Sequence, residues 1–255
     1  MATIAQEPTG MAGEHKFFMI ASWLLGVMTV GGFAINAAMG RSSLDVPAVY
    51  HIHAFFFVGF VALYITQATL AARGNTALHM RLGQVSAIWI PLMLAAGVWL
   101  TFKTLQVLGG PPFFDQSEFL VVNLFHLAAF GGLAFAALRM RRQSDWHKRL
   151  MFGAMVTVSA PGIARLLPLP FVIPWVFPVL FGVMSLFILA GMLMDRRVHG
   201  KVHKAWWWAL LVPLAAMGIG EVIGATGYAR TWVAGHVAGT PGGERPAEAF
   251  LPPGM

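Results

Sequence analysis

Apolar runs of about twenty residues recur along the whole chain, separated by short polar stretches. Seven qualify as spans: 17–38, 49–72, 84–106, 118–140, 150–168, 172–194 and 205–228. A helix needs roughly 20 apolar residues to cross the hydrocarbon core of a bilayer. The pattern therefore predicts an all-α, polytopic membrane bundle of seven transmembrane helices. Only Leu169-Pro170-Phe171 separates the fifth run from the sixth, which predicts a tight turn. Within the second run, His53, Phe57, Phe60, Tyr64 and Gln67 step by three and four and share one helical face. His51 falls on the opposite face and, with Tyr50, reads as an interface anchor.

The polar stretches alternate in charge. Arg73 and Arg81, then Arg139 to Arg149, then Arg196 to Lys204 occupy every second connection. The other connections carry Asp45, Asp115 and Glu118 against Arg41 and Lys103. Basic loops stay on the cytoplasmic side, which predicts the N-terminus inside and the C-terminus outside. Residues 1–16 then form a cytoplasmic segment and 17–228 the membrane domain. Residues 229–255, with Gly-Thr-Pro-Gly-Gly and Pro-Pro-Gly, form a flexible periplasmic tail. The first sixteen residues lack a signal-peptide pattern, so the first span is expected to be retained.

Composition sharpens this picture. The 255 residues are 58% hydrophobic and 11% charged, with a mean hydropathy of +0.70, which points to the lipid bilayer as solvent. A bacterial inner membrane is the expected location. The net charge of +7 sits in the short loops, so it is no nucleic-acid footprint. Cysteine is absent, which excludes thiolate metal sites and cysteine nucleophiles.

Histidines supply the candidate chemistry, in two layers. His53 and His126 lie inside the second and fourth spans toward the outer side, with Asn36, Asn123, Arg165 and Glu221 at similar depth. Arg165 and Glu221 are expected to pair, because a buried charge needs a partner. His79 and His147 open the next spans at the inner side, within Leu78-His79-Met80-Arg81-Leu82 and Trp146-His147-Lys148-Arg149-Leu150. The repeated letters suggest duplicated helix hairpins, with His199 and His203 in a degraded third copy. Two imidazoles at one depth can ligate haem from either side, so His53 with His126 and His79 with His147 predict two stacked haem b groups. Arg81, Lys148 and Arg149 would pair with haem carboxylates. In the alternative reading His53, His126 and Glu221 form a divalent-metal site of the two-histidine, one-glutamate kind.

The segment from His147-Lys148-Arg149-Leu150-Met151 to Pro161-Gly162-Ile163-Ala164-Arg165 resembles the haem-binding helix of transmembrane cytochrome b reductases of the ascorbate and ferric-reductase type. It departs from that helix in having Lys148 where glycine commonly follows the histidine. The likeness implies transmembrane electron transfer, though the spacing to Pro161 and Arg165 departs from that helix. A quinol or cytoplasmic donor and a periplasmic redox partner are expected, and Arg165 is counted among the cofactor residues. The whole chain also resembles uncharacterised bacterial membrane proteins sharing Gln67, His79-x-Arg81-Leu82-Gly83 and His147-Lys148-Arg149-Leu150-Met151, which bears on topology alone. A small transporter or an accessory subunit of a membrane complex is the non-redox alternative. Pro91, Pro161, Pro174, Pro178 and Pro213 are the candidate helix breaks in the transporter case.

Overall fold

The computed structural model describes residues 9–251, with side chains from residue 13. Among these residues there are eight α-helices and no strand. They are α1 (Thr9–Ala38), α2 (Ala48–Ala72), α3 (Thr76–Leu108), α4 (Gln116–Arg139), α5 (Ser144–Ala164), α6 (Val176–His199), α7 (Lys204–Gly224) and α8 (Gly227–Val237). Six of them, all but α5 and α8, are long and apolar enough to cross a membrane. Only 22–39% of each apolar window is buried within the protein. Trp23, Phe55, Ile88, Phe135, Leu186 and Val222 point outward. In water that girdle would be an aggregation surface; in lipid it is solvated, so the chain is a multi-pass membrane protein.

The helix that fails the hydropathy criterion is the most enclosed. α5 packs against α1, α4, α6 and α7, and all but one residue from Arg149 to Ala160 are buried. Because protein rather than lipid surrounds it, α5 tolerates polar side chains that an outer helix would not. Thr157 and Ser159 donate to the carbonyls of Gly153 and Met155 within the helix. Close crossing depends on glycine: a methyl group on Gly32 of α1 would collide with the Gly162 carbonyl of α5, and one on Gly162 with Thr29. On α2, Phe60 and Tyr64 of the expected stripe are buried, as is Val61 beside it.

α1 to α7 run alternately up and down. The starts of α1, α3, α5 and α7 and the ends of α2, α4 and α6 share one end, which carries most of the lysines and arginines. Three sequence expectations change. The α5–α6 connection runs from Arg165 to Trp175 and contains a 3-10 turn at Leu169–Val172, so it is wider than a tight turn. α5 begins at Ser144, ahead of its apolar run, because the charges of its first two turns are paired: Asp145 with Lys148 and Arg149, and Arg149, which is buried, with Glu14 and Asp195. Pro91, Pro161 and Pro213 lie inside α3, α5 and α7 without ending them.

Residues of the tail expected to be flexible make hydrogen bonds to the α3–α4 connection as far as Phe250. Thr226 caps α8 by accepting from the Ala229 amide. Arg245 Nη1 then donates to the carbonyls of Gly109, Gly110 and Pro111, at 2.6–2.9 Å, and Nη2 to Phe114. Gly109 and Gly110 have positive φ, which turns these carbonyls toward one guanidinium. The Gln116 amide donates to Ala247 and the Phe250 amide to Pro112. A loop with so many unpaired carbonyls needs donors, and Arg245 and Phe250 of the C-terminal segment supply them.

Candidate functional site

Two histidines meet at the basic end. His79 is the fourth residue of α3 and His147 the fourth of α5. His79 Nδ1 donates to the Gln67 carbonyl on α2 at 3.2 Å, while Gln67 Nε2 donates back to the His79 carbonyl at 3.0 Å. His147 Nδ1 donates to the Ala137 carbonyl on α4 at 2.8 Å. A carbonyl can only accept, so each Nδ1 carries a proton, and in a neutral ring that leaves Nε2 as the nitrogen able to act as a ligand. Neither Nε2 has a hydrogen-bond partner among the described residues. The ring centres are 6.2 Å apart and the planes nearly perpendicular, at 88°. Gln67 Oε1, on the adjoining turn of α2, is buried and unpartnered.

Metal-ligating histidines commonly donate one ring N–H to a carbonyl, which fixes the ring and leaves the opposite nitrogen free to bind. With metal–nitrogen bonds of about 2 Å, ring centres 6.2 Å apart are close enough for the two imidazoles to share one metal ion. No family model, curated protein or solved structure matches the chain.

The outer layer does not assemble in the same way. His126 Nε2, the nitrogen a haem iron would take, lies 2.7 Å from the Thr157 carbonyl of α5. His53 stacks on Phe57 of its own helix, with ring centres 3.9 Å apart, and its Nδ1 is buried without a partner. Arg165 lies over the Phe33 ring of α1 and donates to the Pro161 carbonyl at 2.6 Å. Glu221 forms no ion pair among the described residues. The expected Arg165–Glu221 pair is absent because the two residues belong to different crossings. Arg165 sits where α5 meets α1, beside Gly32, whereas Gly220 and Gly224 press the Glu221 turn of α7 against Val122 and Glu118 of α4. The two-histidine, one-glutamate set of His53, His126 and Glu221 is likewise not gathered.

A charged knot instead occupies the basic end. Arg149 is 1% exposed, Asp195 0% and Glu14 3%. Arg149 Nη2 donates to Glu14 at 2.8 Å and also to Asp195, and its Nε donates to both Asp195 oxygens. Lys148 bridges Glu14 and Asp145 at 2.8 and 2.9 Å. Asp195 also accepts from the His203 amide at 2.9 Å, which joins α6 to the start of α7. Donor atoms of Glu14, Asp195 and His199 lie within 4.8 Å of one another, as a cation site would require. The Arg149 guanidinium already stands among them and takes both carboxylates, so this set does not fit a metal ion. Its effect is to fix α5, and with it His147, in depth and rotation.

The knot also removes Lys148 and Arg149 from the role of pairing with haem carboxylates; exposed Arg81 remains for it. Sequence reasoning passed over Glu14 and Asp195. Their signal was sign alone: lone carboxylates at an end otherwise populated by cations.

Proposed function

We propose that the chain is a membrane electron-transfer protein that holds one haem b between His79 and His147. The observation that carries this reading is the matched pair itself, with both Nδ1 atoms anchored, both Nε2 atoms open and the ring centres 6.2 Å apart. Held there by His79 and His147, haem would supply one-electron redox chemistry. The protein's part is to hold both imidazoles through their Nδ1–H bonds to the Gln67 and Ala137 carbonyls and to offer Arg81 to a carboxylate. With the basic end inside, seven spans and an inner-membrane location, the pair lies near the cytoplasmic face. That suits a quinol or a cytoplasmic donor. The likeness to cytochrome b reductases agrees in helix and histidine, but only one of the two expected haem layers has this support.

The test is an absorption spectrum of protein purified from haem-replete cells, oxidised and dithionite-reduced. A sharp reduced α-band is expected. His79→Ala and His147→Ala should each abolish the low-spin signal, while His53→Ala and His126→Ala should retain it. Haem persisting in both inner variants would overturn the assignment. Colourless protein containing copper or zinc would keep the histidine pair and reject haem. Colourless, metal-free protein would reject the redox reading and leave the pair as a helix clasp, as in a transporter or an accessory subunit.

A further inference from the structure

At the same end, where α4 stops, Arg139, Arg141 and Arg142 line a hollow of about 290 Å³. All three are exposed, and none forms an ion pair among the described residues. The only side-chain hydrogen bond among them runs from Arg141 to the Leu138 carbonyl of the same turn. Carboxylates that could neutralise them are already committed. Among the described residues the acids of this end are Glu14, Asp145 and Asp195, and all three are taken by Lys148 and Arg149. Three guanidiniums around one hollow repel each other, and an anion between them removes that repulsion while accepting paired N–H donors.

The surface below the hollow says which anion. Ala128, Gly132, Phe135 and Arg139 step by four, three and four along one exposed face of α4, and Phe135 is 66% exposed. An apolar track toward the middle of the membrane, topped by uncompensated cations at its boundary, matches a molecule with a phosphate head and a hydrocarbon tail. We infer that Arg139, Arg141 and Arg142 form a specific site for an anionic phospholipid, with the phosphate in the hollow and an acyl chain along Phe135. The hollow has room for a phosphodiester and several waters at roughly 30 Å³ each. Basic pockets at the cytoplasmic ends of spans take acidic headgroups for the same reason.

The test titrates the purified chain in nonionic detergent with phosphatidylglycerol or phosphatidylcholine and counts lipid-bound species by native mass spectrometry. Wild type should prefer phosphatidylglycerol by on the order of tenfold or more. The R139Q/R141Q/R142Q variant should lose that preference. The charge-matched R196Q/R197Q/K201Q variant, altered at the same end but away from the hollow, should keep it. Equal loss in both variants would overturn the site in favour of a diffuse basic surface, and a preference that survives in the first variant would overturn it outright. Displacement of the lipid by millimolar inorganic phosphate would show that the hollow takes a soluble anion rather than a lipid.

Discussion

At the scale of single residues, Arg149 decides the basic end. A guanidinium buried to 1% exposure is tolerable only because Glu14 and Asp195 meet it with several charge-assisted hydrogen bonds. Removing one partner leaves a buried, half-compensated cation. Asp195→Asn should therefore destabilise the protein by about 3–5 kcal/mol, measured as a lowered melting temperature in detergent or by steric trapping in a bilayer. Replacing the whole set, as Glu14→Gln, Arg149→Met and Asp195→Asn together, should recover part of the loss. If the triple variant is no more stable than Asp195→Asn, Arg149 is not the element that makes the carboxylates necessary. The candidate histidines His79 and His147 were legible in sequence because the His-x-Arg-Leu letters repeat. What holds them was not, since a main-chain carbonyl such as that of Gln67 or Ala137 has no letter of its own. The Arg165–Glu221 expectation failed for a related reason. Depth along a helix can be counted from its ends, but which neighbour a side chain faces among seven helices cannot.

At the scale of elements, the spans were readable because transfer to lipid acts on each residue almost independently of its neighbours. α2 and α4 run within two residues of their apolar stretches. α5 was displaced because its first two turns hold Asp145, Lys148 and Arg149, which read as loop until Glu14 and Asp195 arrive from elsewhere in the chain. Its packing against α1 yields a sharp contrast. Gly162→Ala drives a methyl group into the Thr29 backbone, where nothing flexible can yield, whereas Gly31 and Gly132 have no atom within 4 Å of an added Cβ. Gly162→Ala should cost roughly 1–3 kcal/mol or more, as overpacking does, while Gly31→Ala and Gly132→Ala should leave the melting temperature unchanged. Equal behaviour of the three would show that α1 and α5 are not in backbone contact.

At the scale of the whole molecule, the orientation of the basic end can be read without background, because the chain has no cysteine. With that end in the cytoplasm, Gln143→Cys should react with a membrane-impermeant maleimide only in inverted vesicles. Gly235→Cys on α8 should react only in spheroplasts. The opposite pattern would invert the placement of the histidine pair and of the arginine hollow. Arg245 reaches Gly110 across 135 residues of sequence, and that separation becomes an interval during synthesis. At about 5–20 residues per second, the turn after α3 leaves the ribosome roughly 7 to 27 s before the side chain that closes it. For that time its carbonyls must be served by water or by the insertion machinery, and a nascent chain arrested before Arg245 should show a protease-sensitive site at Gly109–Phe114 that vanishes on completion.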